Sequence, residues 1–147
     1  MKKPLFPVIR KQHLPAWQQA LESLDRIESL KLWQTGRYKE YYTGITDVLR
    51  IYLENQFQIP AMEMISAEII ESLERDPSLN AQKEKVMQVL NLADLVKFAK
   101  EQPLPAENQL SLDNTREFVN STKPATVAIP APANDGISVN PVAETNA

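Results

Sequence analysis

Eight apolar residues between Arg37 and Phe57 constrain this chain more than any other stretch. Tyr38, Tyr41, Tyr42, Ile45, Val48, Leu49, Tyr52 and Leu53 recur at three- and four-residue intervals. That spacing puts all of them on one face of an α-helix. The opposite face carries Lys39, Glu40, Asp47, Arg50 and Glu54. A helix with so broad a dry side needs other helices to cover it. The sequence therefore predicts an all-α fold, a compact bundle of about five helices. On its chemistry alone the chain reads as a soluble helical domain.

Prolines punctuate the rest. All 11 fall outside the segments that read as helix interiors, where each would cost about 3 kcal/mol. A first helix is expected from Pro15 to Gln34, with Trp17, Leu21, Leu24, Ile27, Leu30 and Trp33 on its dry face and Gly36 as a left-handed cap. The second, from Arg37, follows at once as an antiparallel partner. Gly44 in its middle is either simply tolerated or marks close approach of a neighbouring helix, and so regular a pattern favours the second.

A short third helix is expected from an N-cap at Ser66 to about Arg75, with Ile65, Ile69, Ile70 and Leu73 inward and Glu68 favoured by the helix dipole. Asp76-Pro77-Ser78 reads as a turn. The fourth helix, Asn80 to Lys100, ends in an almost wholly apolar half, which predicts enclosure in the middle of the bundle. Asp94 and Lys97 interrupt that half and are expected to pair with each other or with a helix end. The fifth helix opens at Pro105 and ends near Ser121, with Leu104, Leu112, Thr115 and Val119 on one face and Phe118 beside it.

This gives three parts: a leader over 1–13, a helical domain over 14–122 and a Pro/Ala-rich tail over 123–147. The tail holds no aromatic residue and no leucine, so it is expected to be disordered. The leader carries Lys2, Lys3, Arg10 and Lys11 with no acid, for a charge of +4, whereas the remainder sums to −7. Such a leader is either solvated and disordered or suited to anionic lipid headgroups. An acidic body is not the footprint of a nucleic-acid binder. No apolar run approaches the roughly 18 residues of a membrane span, and no signal peptide is recognisable.

Catalytic chemistry has little to work with. There is one histidine, His13, and no cysteine, which removes the Ser-His-Asp and Cys-His sets and Cys-ligated metals. Three glycines leave no phosphate-cradling loop. The series Glu63, Glu68, Glu71 and Glu74 reads as a solvated face. The sequence thus predicts no enzyme, no cofactor and no metal site. Trp17, Trp33, Tyr38, Tyr41, Tyr42 and Tyr52 read as core, with tyrosine hydroxyls reaching the bundle edge. A second reading makes that aromatic set a pocket for a small apolar ligand.

The order of several short stretches carries a resemblance. Leu32-Trp33-Gln34-Thr35-Gly36, Glu40-Tyr41-Tyr42, Asp47-Val48-Leu49-Arg50, Tyr52-Leu53, Ala61-Met62-Glu63-Met64 and Glu68-Ile69-Ile70 are followed by Asp94-Leu95-Val96-Lys97-Phe98-Ala99, Glu107-Asn108 and Phe118-Val119 with Thr122. Over Trp17 to Thr122 the chain resembles the cytoplasmic C-terminal helical domain of bacterial BatD-like, or aerotolerance-type, membrane proteins. The resemblance implies a non-enzymatic protein–protein interaction (adaptor) domain of a larger, membrane-anchored protein. Its basic leader would follow a transmembrane helix at the cytoplasmic face of the inner membrane. It also implies partners, a MoxR-type AAA+ ATPase and von Willebrand factor A proteins. The polar face of the second helix (Asp47, Arg50 and Glu54), together with Asp94 and Lys97, supplies the candidate contacts. This chain departs from that pattern in having no membrane segment and no extracellular β-domain.

Overall fold

The tyrosine-rich helix is the hub, and four other segments pack on it. The computed structural model describes residues 14–125. The leader over 1–13, His13 and the tail from 126 onward lie outside the described residues. Six helices follow in order: α1 (Ala16–Ser29), α2 (Tyr38–Phe57), α3 (Ser66–Glu74), α4 (Pro77–Asn80), α5 (Lys83–Ala99) and α6 (Pro105–Thr122). Single 3-10 turns sit at Trp33–Thr35 and Ala61–Glu63. Five helices are of substantial length and there is no strand among the described residues, so the all-α bundle is the observed fold.

Helices α1, α2, α5 and α6 form a closed ring of neighbours, and α3 packs on the outer side of α5. Side-chain pairs fix the directions. Tyr42 meets Asn108 and Tyr52 meets Thr122, so α2 and α6 run parallel. Arg116 meets Asp25 and Glu28 while Lys123 lies 4.4 Å over the Trp17 ring, so α1 runs antiparallel to α6. Asn114 meets Gln88 and Glu117 meets Lys85, so α5 is antiparallel to α6 as well. The core is the stripe of Leu24, Tyr41, Tyr42, Ile45, Leu49, Tyr52 and Leu53 closed by Leu90, Phe118 and Val119.

Gly44 is a close-approach glycine. A Cβ there would stand 3.1 Å from the Ile27 Cδ1 of α1, tighter than ordinary van der Waals contact. Gly36 has φ +85° and terminates the 3-10 turn, as its position predicts.

Several boundaries differ from expectation. α1 stops at Ser29 rather than Gln34, because Lys31 turns left-handed (φ +53°) and the chain re-forms as a 3-10 turn. Leu30, expected on the dry face, is therefore exposed. Ser66 is the first residue of α3 and not its cap. The free N–H of Ile65 is instead satisfied by the Glu68 carboxylate at 3.0 Å, and the Ile65 side chain points outward. Glu107 does the same for the Leu104 N–H at 2.8 Å, leaving Leu104 exposed. Asp76-Pro77-Ser78 is more than a turn: Asp76 accepts from the Ser78 N–H and starts the one-turn α4, which delays α5 to Lys83.

α5 ends at Lys100, a lysine in the left-handed region (φ +56°). An L-residue there costs about 1–2 kcal/mol, of which glycine returns part as its own chain entropy. Lys100→Gly is expected to stabilise the domain by about 0.5–1 kcal/mol, read as a higher urea midpoint at unchanged m-value.

Arg116 ties α6 to α1. Its Nη2 donates to Asp25 Oδ1 and to Glu28 Oε1, each at 2.7 Å. The hydrogen bond from Arg116 holds the Glu28 carboxyl below its ordinary value of 4.5. A carboxyl lowered on folding stabilises the fold above its unfolded pKa, and loses that contribution as pH falls through the lower folded value. Stability should therefore decline as the medium is acidified below about pH 4.5. Arg116→Gln should flatten that part of the pH profile in thermal melts between pH 3 and 6.

Candidate functional site

The five candidate contact residues do not form one surface. Asp47 is exposed on α2. Arg50 and Glu54, one turn apart on the same helix, are engaged internally. Arg50 Nη1 donates to the carbonyls of Ala61 and Met64 at 2.7 and 2.6 Å. Glu54 Oε2 accepts from the Met62 N–H at 2.9 Å. Together they clamp the connector between α2 and α3. Its 3-10 turn leaves backbone groups that no long helix satisfies, and two charged side chains supply the partners. Asp94 and Lys97 are half-buried on α5, and no ion pair joins them among the described residues, so of the two expected pairings the mutual one is not formed.

The hydroxyls of Tyr41, Tyr42 and Tyr52 point into the bundle rather than to its edge. Tyr41 donates to the Asn108 carbonyl and Tyr42 to Asn108 Oδ1, both at 2.7 Å. Asn108 Nδ2 donates to the Pro103 carbonyl at 3.3 Å, and Ser111 Oγ donates to Tyr42 Oη at 3.3 Å. Tyr52 shares a hydrogen bond of 2.9 Å with Thr122 Oγ1. Burial pushes the Tyr42 hydroxyl up to about 12, offset in part by Ser111. Burial raises Tyr41 and Tyr52 too. Each stays protonated, as a donor inside an apolar core must. The rings meet edge to face, Tyr41 with Tyr42 at 5.1 Å and Tyr52 with Phe118 at 6.0 Å. These are packing roles.

The second half of α5 is not enclosed either. Val89, Leu90, Ala93 and Val96 are buried, but Leu95 is 48% and Phe98 81% exposed. The apolar run had predicted burial on all sides. Among the described residues the main neighbours of α5 are α2, α3 and α6, and they leave the face of Leu95 and Phe98 bare.

Beside that bare side lies a groove of about 300 Å³ between α5 and α6. Leu92, Leu95 and Leu110 form its apolar part, and Leu110 is 49% exposed. Gln88, Asn91 and Asn114 supply carboxamide walls, with Glu107 at one end. Asn114 Nδ2 donates to Gln88 Oε1 at 2.7 Å, which bridges the two helices and sets the width of the groove. Leucines beside the exposed Asn91 carboxamide can bury apolar side chains of a partner while the amide hydrogen-bonds its polar groups. This feature was not among the sequence candidates. Its signal was the apolar excess of α5, which exceeds what three neighbours can cover.

No three His, Cys, Asp or Glu side chains come together as a metal site among the described residues. No described helix is long and apolar enough to cross a membrane. The chain matches no protein-family model, no curated protein and no solved structure.

Proposed function

We propose that this chain is a non-enzymatic protein–protein interaction domain that docks its partner in the α5–α6 groove. The observation that carries the reading is the half-exposed pair Leu95 and Leu110 flanking a groove with amide walls. Such a surface is costly to leave in water and is of the kind that partner helices and strands cover. The resemblance to BatD-like cytoplasmic domains names the partners to test first, a MoxR-type AAA+ ATPase and von Willebrand factor A proteins. It also suggests that the domain works within a larger membrane-anchored protein, on the cytoplasmic side. The alternative, a sensor for a small apolar ligand, has no comparable observation, since Tyr41, Tyr42 and Tyr52 pack edge to face and are hydrogen-bonded to α6.

The test is capture of purified ATPase and von Willebrand factor A proteins on the full chain, with Leu95→Glu/Leu110→Glu as the variant. Two carboxylates in the apolar contact should weaken binding at least a hundredfold, about 3 kcal/mol or more, with thermal stability changed little. Asp47→Ala should leave binding unchanged. Loss of binding with Asp47→Ala, and none with the groove variant, would move the site to α2.

A further inference from the structure

One end of the bundle combines exposed apolar side chains with unpaired cations. The α1–α2 turn and the α5–α6 connector lie side by side there, since the 3-10 turn at Trp33–Thr35 packs on α6. Leu30 and Leu104 project from these loops and Phe98 from the last turn of α5, and they are 56%, 67% and 81% exposed. The charges here are Lys31, Arg37, Lys39, Lys97 and Lys100 with Glu28, Glu40, Asp94, Glu101 and Glu107, and Glu28 is held by Arg116. Arg37 pairs with Glu40. The four lysines have no ion pair among the described residues. The flank at α3 is acidic, with Glu63, Glu68, Glu71 and Glu74 around Arg75.

Left-handed backbone occurs at this end too, as it does at Gln58 (φ +56°), which closes α2 at the other end. Lys31 and Lys100 each occupy a left-handed position, φ +53° and +56°, in two separate turns. Glycine or asparagine is the usual residue in such a position. Both lysines are exposed and stand at helix C-termini, where the negative end of the helix dipole also favours a cation.

We infer that this end of the bundle docks on an anionic lipid surface. Phe98, Leu104 and Leu30 would enter the headgroup region, and the lysines would contact the phosphates. Anionic bilayers favour this combination of shallow apolar insertion and nearby cations. The acidic α3 flank would be held away from the membrane, so the domain has a single preferred orientation. The α5–α6 groove lies along the side of the bundle and stays open to a protein partner, and the membrane contact does not depend on the groove reading.

The test is co-sedimentation of the full chain with vesicles of phosphatidylglycerol in phosphatidylcholine, and with phosphatidylcholine alone. Binding is expected only to the anionic vesicles and should weaken with added salt. Lys31→Gly/Lys100→Gly should weaken it at least tenfold while raising the melting temperature, which separates recognition from folding. Phe98→Ser should weaken it about tenfold, and Arg75→Gln should have no effect. Equal binding to neutral vesicles, or none to either, would overturn the inference. So would binding that survives both variants, because it would then come from the basic residues 2–11. Binding to soluble polyglutamate with none to vesicles would replace the lipid with an acidic protein.

Discussion

Asn108→Leu should lower stability by about 3 kcal/mol and the melting temperature by about 10 °C or more, although the side chain hardly changes in volume. Asn108 is fully buried. Its Oδ1 takes the Tyr42 hydroxyl and its Nδ2 serves the Pro103 carbonyl. Leucine would leave a donor on α2 and an acceptor before α6 without these partners, and each such group costs about 1–3 kcal/mol. The Tyr41 bond goes to the Asn108 backbone and should persist. Tyr42→Phe added to Asn108→Leu removes the orphaned donor. The double variant should therefore recover part of the loss, with a coupling of about 1–2 kcal/mol in a double-mutant cycle. Strict additivity in that cycle would mean that the Tyr42–Asn108 bond does not join α2 to α6.

Arg50→Met should cost about 2 kcal/mol, whereas Asp47→Ala, one turn earlier on the same helix, should change stability by less than about 0.5 kcal/mol. The difference lies in what each side chain touches. Methionine keeps the apolar stem of Arg50 but loses two charge-assisted bonds to the connector carbonyls. Freed, the Ala61–Glu63 turn should open locally before the bundle does. Faster amide exchange at Met62 and Met64 would register this, with α6 amides changing only in step with global stability. If both variants proved equally harmless, Arg50 would return to the pool of surface charges.

This contrast shows how much was legible in sequence. The apolar period of α2 identifies its inward face correctly because burial follows spacing. Spacing cannot tell a polar residue in water from one that bonds a neighbouring loop. Arg50 and Glu54 fall on the wet arc of α2, and only the fold brings the connector against them. Asn108 was hidden for a related reason. It shares its stripe with Ser111, Leu112, Thr115 and Phe118, but polar residues weaken the apparent period of α6. A signal did exist. Three tyrosines on a buried face need acceptors, and a helix cannot supply them from its own saturated backbone. A partner helix with buried small polar residues was therefore required, and α6 has the stripe that fits. The groove was misread in the opposite direction. An apolar half-helix implied enclosure, yet enclosure needs enough neighbours, and five helices do not suffice to cover both α2 and α5. The excess on α5 became a surface.

Side-chain oxidation footprinting of the full chain, with and without the purified AAA+ ATPase, tests the central claim most directly. Leu95 and Leu110 are half-exposed in the groove, and Met62, beside Glu54, is exposed to a similar degree on the connector. Docking in the groove predicts that the ATPase protects Leu95 and Leu110 and leaves Met62 reactive. Protection of Met62, with Leu95 and Leu110 as reactive as in the free chain, would contradict it and put the interface on the polar face of α2.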